Sequence, residues 1–276
     1  MLVAFWGCCR MAQQHSRPRP LFISHRGESS VAPENTMAAF RYAIEHGSDG
    51  FETDIHLTSD GTVVCSHDCN LKRVFGVNLK IEAHTYAELK GLVALPHADA
   101  LQNEKAPTLS TALGVPTLSD ALSALTPGTK IFIEVKDNQH ALVDAMARDI
   151  RDANLKPCQI VVISFHSAAI KYSKEKYPEY KTLWLCGFGK DKKTGKYHHD
   201  VDYYVNVLKD IHADGIDCAG DLDFMTGDFY RAMKAAGLEA FVWTIDDTET
   251  ARRFVQDGVD GVTTNRAVGL ISELRD

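Results

Sequence analysis

The stretch GFETDIHL, residues 50–57, has the pattern of a β-strand with two unlike faces. Successive side chains of a strand point to opposite sides, so Glu52 and Asp54 share one face. The opposite face carries Phe51, Ile55 and Leu57. In a barrel whose outer surface is covered by helices, the apolar face meets the helices and the carboxylates point toward the barrel axis. The stretch therefore predicts a barrel strand with a charged inner face.

The rest of the chain repeats a strand–helix alternation that favours a closed α/β barrel. Strands are predicted at 21–25, 50–57, 130–136, 159–165, 181–187, 214–218, 239–244 and 259–264. Helices are predicted at 36–46, 117–125, 139–153, 167–176, 201–211, 226–236, 247–257 and 266–274. Eight repeats suit a (β/α)8 TIM barrel, formed as a single domain by residues 20–276. A doubly wound open sheet is the alternative, but no Gly-x-Gly-x-x-Gly follows the first strand.

The connection between the second and third predicted strands is unusually long. A turn signal at 59–61 and a short β run at 62–66 indicate a hairpin directly after the second strand. The segment 71–116 follows as an insertion, with a predicted helix of its own at Tyr86–Val93. Connections of this length in a compact domain tend to be functional or mobile.

Charge and hydropathy restrict the class of partner. The formal net charge is −7 among 276 residues, which argues against a nucleic-acid backbone as partner. No apolar run reaches the roughly 18 residues that a membrane span needs. The N-terminal segment 1–19 contains a short apolar run and could be the remnant of a signal peptide. A periplasmic or secreted location and a cytoplasmic one both stay open, as does the oligomeric state.

Ionisable residues cluster where the first three predicted strands end. In chain order they are His25 and Arg26, Glu52 and Asp54 with His67 beyond the hairpin, and Glu134 and Lys136. The C-terminal ends of barrel strands form one rim, which is where the active sites of such barrels lie. Three carboxylates converging there would repel one another unless they were protonated or bridged by a cation. An all-oxygen site of this kind suits one divalent metal ion, Ca²⁺ or Mg²⁺.

The remaining residues of the cluster suit the chemistry of a phosphate ester. Arg26 and Lys136 could hold anionic phosphate oxygens, while His25 and His67 could transfer protons near neutral pH. Trp243, at the end of the seventh predicted strand, could wall in the carbon atoms of a substrate or simply belong to the core. A single histidine or inward carboxylate is more often structural than catalytic, but a structural role does not explain why all of them cluster on one rim.

The same residues resemble the glycerophosphodiester phosphodiesterase family. The resemblance is carried by His25-Arg26-Gly27, Pro33-Glu34-Asn35-Thr36, Glu52-x-Asp54, Thr58-x-Asp60-Gly61, His67-Asp68 and Glu134-x-Lys136. It implies a TIM barrel like that of phosphatidylinositol phospholipase C, with a divalent metal on Glu52, Asp54 and Glu134. It also implies that His25 and His67 form an acid–base pair and that Arg26 and Lys136 contact the phosphate.

The reaction expected from this resemblance is hydrolysis of a small glycerophosphodiester to glycerol 3-phosphate and an alcohol. The resemblance favours His25 as the acid and His67 as the base, a choice that the residues themselves leave open. Two alternatives remain. One is a phospholipase C- or D-like enzyme that acts on lipid phosphodiesters, and the other is a catalytically silent barrel used for binding.

Overall fold

A nine-stranded, mostly parallel sheet forms the centre of the protein. The computed structural model describes residues 19–96 and 113–275. The strands in these residues are β1 Leu21–Ser24, β2 Gly50–Leu57, β3 Val63–Cys65, β4 Lys130–Val135, β5 Ile160–Ser164, β6 Lys181–Cys186, β7 Gly215–Ala219, β8 Glu239–Trp243 and β9 Gly261–Thr264. All except β3 are parallel, and pairing of β1 with both β2 and β9 closes them into an eight-stranded barrel.

Helices cover the outside of this barrel. In the described residues they are α1 Met37–Glu45, α2 Lys72–Phe75, α3 Tyr86–Leu89, α4 Leu118–Ser123, α5 His140–Asp152, α6 Ser167–Lys176, α7 Val201–Asp210, α8 Gly227–Ala235, α9 Thr248–Asp257 and α10 Ala267–Arg275. The predicted TIM-barrel fold is confirmed, and the eight predicted strands and eight predicted barrel helices agree with the structure to within two residues. The third predicted strand is β4, because β3 belongs to the hairpin.

The connection between β2 and β4 departs from the regular alternation. Strand β3 pairs antiparallel with β2, as the turn signal at 59–61 predicts. The helix predicted at Tyr86–Val93 is wrong in its end: α3 stops at Leu89. Gly91 follows closely, and glycine has a low helix propensity; the amide of Leu92 closes a tight turn onto the carbonyl of Leu89.

Three other expectations concern the limits of the described chain. The N-terminal segment 1–19 lies outside the described residues except for Arg19, and residues 97–112 of the long connection also lie outside them. Within the residues described, no helix is long and apolar enough to cross a membrane.

The barrel interior is layered, and its character changes along the axis. Inward side chains of alternate strands form the layers of such barrels. One layer is entirely apolar and buried, and its members on β1, β4, β6 and β8 are Ile23, Phe132, Leu183 and Phe241. By strand alternation, the next layer toward the C-terminal ends comes from β2, β5, β7 and β9, and its members are Glu52, Ile163, Asp217 and Thr263. The barrel is therefore closed below by hydrocarbon, and three of the four side chains in the layer above are polar.

A buried carboxyl group, Glu28, links the first strand to the last helix. Its side chain accepts hydrogen bonds from Ser24 Oγ at 2.6 Å and from the amide of Val268 at 3.2 Å. The residue is only 1% exposed, and this burial raises the pKa of Glu28 to about 7. The native protein consequently keeps a proton on Glu28 at pH values where the unfolded chain has released it.

The raised pKa of Glu28 predicts how Glu28→Gln changes the pH dependence of stability. Between the unfolded pKa of about 4.3 and the native value, the native state binds the extra proton, so stability falls as pH rises. One proton corresponds to a slope of about 1.4 kcal/mol per pH unit. Urea unfolding from pH 5 to pH 7.5 should show a shallower decline in Glu28→Gln than in wild type. The exposed control Glu45→Gln should keep the wild-type slope, and equal slopes in all three proteins would contradict the assignment.

Candidate active site

A cavity of about 140 Å³ opens at the C-terminal end of the barrel. The side chains that line it are His25, Arg26, Glu52, His67, Glu134, Lys136, Ile163, Phe165, Leu185, Asp217, Trp243 and Thr263. Seven of the eight site residues predicted from the sequence are among them, and the eighth, Asp54, contacts Lys136 from beside the cavity. The cavity is smaller than the several hundred Å³ of a pocket for drug-sized ligands, and so fits a small molecule or one end of a larger one.

The three predicted metal ligands form a compact cluster. Glu52, Asp54 and Glu134 are buried, and each offers an oxygen that lies within 4.8 Å of the others. Burial and the neighbouring Asp54 carboxylate raise the pKa of both Glu52 and Glu134. Burial opposes ionisation of Asp54 as well, but Lys136 and Arg26 hold its pKa below the usual value. The cluster is thus short of positive charge.

Two cationic side chains neutralise this cluster only in part. Lys136 Nζ lies 2.9 Å from Glu134 Oε1 and 3.2 Å from Asp54 Oδ1, and Arg26 Nε lies 3.4 Å from Asp54 Oδ2. Despite these distances, Asp54 Oδ1 and Arg26 Nε have no partner with hydrogen-bond geometry among the described residues. Three oxygen donors, an unsatisfied carboxylate oxygen and incomplete neutralisation fit a hard divalent cation of the Ca²⁺ or Mg²⁺ kind.

The turn at 25–27 holds Arg26 over the cluster. Arg26 has a φ of 58°, a left-handed conformation uncommon for residues other than glycine and often found at functional sites. Its amide donates to Glu52 Oε2 at 2.9 Å, so the unusual backbone serves to fix one of the carboxylates. Gly27 continues the turn at φ 78°, and a Cβ there would lie 2.6 Å from Ala39 Cβ. The turn is therefore specific for glycine on both conformational and steric grounds.

Each of the two histidines has one ring nitrogen engaged by a neighbour. His25 Nδ1 lies 2.8 Å from Asn265 Oδ1, and Asn265 Nδ2 donates to Asp246, which turns the amide oxygen toward His25. His67 Nδ1 lies 2.8 Å from Asp68 Oδ1. With Nδ1–H donating to an oxygen in both cases, Nε2 is the nitrogen left for proton transfer. Burial and the charge of Arg26 lower the pKa of His25.

A chain of ion pairs connects the Arg26 turn to His67. Glu34 bonds Arg26 Nη1 at 3.0 Å and accepts from both Arg73 Nη1 and Nη2 at 2.7 Å. Arg73 Nε donates to Asp68 Oδ2 at 2.7 Å, and Asp68 in turn orients His67. Arg73 lies on α2, so the long connection between β2 and β4 supplies a residue that supports the site.

Several supporting residues have no role assigned from the sequence. Asn35 donates to Asp54 Oδ2 at 2.8 Å and accepts from Thr53 Oγ1 at 2.7 Å. The motif Pro33-Glu34-Asn35-Thr36 gave a signal for Asn35, whereas Asn265 and Asp217 stand in stretches that give no local signal. Their importance arises only from contacts made across the barrel.

Aromatic side chains form one wall of the cavity. Trp243 Nε1 donates to the carbonyl oxygen of Asp217 at 3.1 Å, which fixes the indole against β7. Phe165 packs edge-on against the Trp243 ring at a centroid distance of 5.7 Å and is 49% exposed. Trp243, for which the sequence leaves open a wall of the site or a place in the core, lines the cavity, and Phe165 extends this aromatic wall to the solvent.

A model of the glycerophosphoryl diester phosphodiesterase family matches residues 25–268. The chain belongs to this family. The prediction of a phosphodiesterase enzyme is thereby confirmed at the level of the family.

Known relatives cover almost the whole chain at modest identity. The glycerophosphodiester phosphodiesterase of Caldanaerobacter subterraneus subsp. tengcongensis is 26% identical over 266 residues, which are 93% of this chain and 98% of the relative. Human lysophospholipase D GDPD1 is also 26% identical, over 276 residues that cover 91% of this chain and 86% of the human protein.

Solved structures show the same barrel. The glycerophosphodiester phosphodiesterase of Thermotoga maritima has a TM-score of 0.69 at 27% identity, covering 94% of this chain and 99% of that one. A phosphodiesterase of Oleispira antarctica, solved with the product sn-glycerol-3-phosphate, has a TM-score of 0.77 at 23% identity, covering 94% and 98%.

The carboxylate cluster predicts opposite effects of Glu134→Gln on the metal-free and metal-loaded protein. Removing one ionisable group relieves repulsion, so we expect the metal-free melting temperature to stay constant or rise. Ca²⁺ or Mg²⁺ at about 100 times its Kd should raise the melting temperature of chelator-treated wild type by roughly 5–10 °C. Thermal-shift titration should show that this increment is lost in Glu134→Gln and kept in the exposed control Glu175→Gln. An undiminished increment in Glu134→Gln would exclude the cluster as the cation site.

Proposed function

We propose that the protein hydrolyses glycerophosphodiesters to glycerol 3-phosphate and an alcohol. The observation that carries the proposal is the convergence of a buried three-carboxylate cluster, two oriented histidines and two cationic side chains on one small cavity. The named activity of the relative from Caldanaerobacter supports the substrate class. No member of the expected catalytic set is missing, which argues against a silent barrel used only for binding.

Arg26 and Lys136 are the groups that bind the phosphodiester anion. Both line the cavity, and each already contacts the carboxylate cluster, so their charges are held at its edge rather than in bulk solvent. Cationic donors in fixed positions stabilise the charge that grows on the phosphoryl oxygens in the transition state. A divalent cation on Glu52, Asp54 and Glu134, Ca²⁺ or Mg²⁺, would supply Lewis-acid stabilisation and a template for the substrate oxygens.

His25 and His67 form the acid–base pair of the proposed reaction. In the proposed direction, His67 accepts a proton from the attacking hydroxyl, and His25 gives a proton to the leaving alkoxide. A lowered pKa makes the His25 imidazolium a stronger acid but reduces its population in the free enzyme. Binding of the anionic substrate beside His25 favours the protonated ring and so offsets this loss.

The glycerol 2-hydroxyl is the nucleophile that this arrangement favours. Its oxygen attacks phosphorus while its proton passes to His67, and the bond from phosphorus to the head-group oxygen breaks as His25 protonates that oxygen. Water then opens the cyclic phosphate with the two histidines in exchanged roles, which releases glycerol 3-phosphate and restores both rings. A tethered nucleophile avoids much of the entropy cost of a bimolecular attack.

A lysophospholipid is the second candidate substrate, and the exposed Phe165 is the observation that favours it. This ring continues the Trp243 wall outward from the cavity, where an acyl chain could lie. The human relative named lysophospholipase D is consistent with that use of the rim. Against it, Arg73 of the long connection places charge near the site. An apolar rim formed by that connection would have favoured lipids more strongly.

Both candidates are tested by one panel of substrates. Purified enzyme should release glycerol 3-phosphate from glycerophosphocholine and glycerophosphoethanolamine in the presence of Ca²⁺ or Mg²⁺, and chelation should abolish turnover. Lysophosphatidylcholine is assayed in parallel, with choline release as the readout. A higher kcat/KM for the lipid would make the second candidate the principal function, and turnover in fully chelated enzyme would refute the role of the metal.

Replacing either catalytic histidine should reduce turnover strongly. We expect His25→Ala and His67→Ala each to lower kcat by at least about a hundredfold, since each proton transfer contributes that order. The double variant should lose less than the product of the two, because both act on one reaction path. His212→Asn is a suitable control, since His212 is exposed and follows α7 at the opposite face of the barrel. Near-normal kcat in either single variant would remove that histidine from the mechanism.

An analogue without the glycerol 2-hydroxyl separates the cyclic route from direct attack by water. 3-Hydroxypropyl phosphocholine keeps the chain length, the phosphodiester and the head group. The cyclic route requires that this compound bind as a competitive inhibitor of glycerophosphocholine hydrolysis but react orders of magnitude more slowly. Cleavage at a rate comparable with that of glycerophosphocholine would identify water as the direct nucleophile.

A further inference from the structure

Two buried polar atoms at the floor of the cavity have no function in the proposed reaction. Asp217 on β7 and Thr263 on β9 both line the cavity and are 1% and 2% exposed. Within the described chain, Asp217 Oδ1 and Thr263 Oγ1 have no hydrogen-bond partner. Leaving a buried polar group unpaired costs about 1–3 kcal/mol. Two such groups on residues that line one cavity point to a ligand that supplies the missing hydrogen bonds.

Asp217 stands across the barrel from the carboxylate cluster. Three strands separate β7 from β2 in either direction around the closed sheet, so Asp217 and Glu52 occupy opposite sides of one layer. A substrate with its phosphate at Arg26 and Lys136 consequently extends one end toward Asp217. The apolar layer below closes the barrel, so this end must be short.

The glycerol end meets that restriction better than the head group does. A cavity of about 140 Å³ suits a three-carbon polyol phosphate, whereas a larger head group needs the open mouth near Phe165. Ile163 and Leu185 line the cavity between its two polar ends and offer contact to methylene carbons. The Trp243 ring, fixed through its bond to the Asp217 carbonyl, adds a flat wall.

The chemistry of the floor matches a hydroxyl group. Burial, together with the charge of Glu134, raises the pKa of Asp217 well above its ordinary value. A protonated carboxyl both donates and accepts a hydrogen bond, as does the threonine hydroxyl, and a substrate hydroxyl needs one partner of each kind.

We propose that Asp217 and Thr263 bind the terminal hydroxyl of the glycerol moiety and thereby select glycerol diesters over diesters of shorter diols. The inference rests on the proposed function and deepens it, since it assigns a specificity site to the same cavity. A site built to hydrogen-bond a substrate hydroxyl discriminates strongly against an analogue without it, because the buried groups are then left unpaired.

The test compares two substrates that differ only in the terminal hydroxymethyl group, which carries this hydroxyl. Glycerophosphocholine carries the terminal hydroxymethyl group, whereas 2-hydroxyethyl phosphocholine lacks it and keeps the hydroxyl beside the phosphoester. The measured quantity is the ratio of the two kcat/KM values. Asp217→Ala should lower this ratio at least about tenfold, the cost of a hydrogen bond to a buried group.

Matched variants separate recognition from a loss of folding. Asp217→Asn keeps a donor and an acceptor, so it should retain most of the wild-type ratio. Thr263→Val removes a hydroxyl at nearly constant shape and should lower the ratio as Asp217→Ala does. Asp223→Ala, at an exposed position in the loop after β7, should leave it unchanged. If Asp217→Ala does not fold, an unchanged ratio in Thr263→Val overturns the proposal by itself.

The remaining outcomes distinguish this inference from the function on which it rests. A wild-type ratio in Asp217→Ala, or an equal loss on both substrates, overturns the assignment of the hydroxyl site and leaves the phosphodiesterase proposal intact. The assignment is also overturned if Asp217→Ala changes the ratio of the kcat/KM values for glycerophosphoethanolamine and glycerophosphocholine, because these two substrates differ only in the head group. Wild-type enzyme that cleaves neither substrate overturns both the proposed function and this inference.

Discussion

Repulsion among three buried carboxyl groups is the constraint around which this site is built. Glu52, Asp54 and Glu134 lie too close together to be ionised at once without compensation, and burial removes the water that would screen them. Lys136 and Arg26 reduce this repulsion. Lys136 forms ion pairs with the cluster, and Arg26, in its strained turn, contacts the cluster through both its backbone and its side chain. These contacts bring the proposed phosphate-binding groups next to the proposed metal ligands. The same two residues, Lys136 and Arg26, thus neutralise the cluster in part and provide the positive charge proposed to bind the substrate.

The supporting contacts make the two halves of the site interdependent. Through Glu34, Arg73 and Asp68, the position of the Arg26 turn is linked to the orientation of His67. Paired, partly buried ions stabilise less than their number suggests, because desolvation opposes their attraction. Their value here lies in specifying a geometry that a flexible connection would not hold alone. Helix α2 contributes to the candidate site through Arg73, which contacts both Glu34 and Asp68.

The sequence predicts the barrel well because its signals are local. The alternation within residues 50–57 and the strand–helix period depend only on neighbouring residues, and residues that follow neighbouring strands must meet at one rim. What the sequence does not predict are contacts between distant strands. Asn265 orients His25 from a position 240 residues away. Asp217 is recognisable as a residue of the cavity, with an unpartnered carboxyl oxygen, only once the barrel has closed and placed it opposite the carboxylate cluster. The end of α3 was missed for a different reason, since a glycine outweighed an otherwise helical pattern.

The two ends of the cavity impose different demands, and together they limit the class of substrate. The inner end is closed by hydrocarbon and carries two polar groups, on Asp217 and Thr263, that have no hydrogen-bond partner among the described residues, which favours a short hydroxylated group over an alkyl chain. The outer end is bounded by Phe165 and opens to solvent, where large and chemically varied groups find room. Under the proposed function, a glycerophosphodiester held between these ends places its glycerol inward and its head group outward. In that orientation a lysophospholipid, which carries its acyl chain on the glycerol, does not fit the inner end as a glycerophosphodiester does, so the two candidate substrates are distinguished at the inner end as well as at the rim.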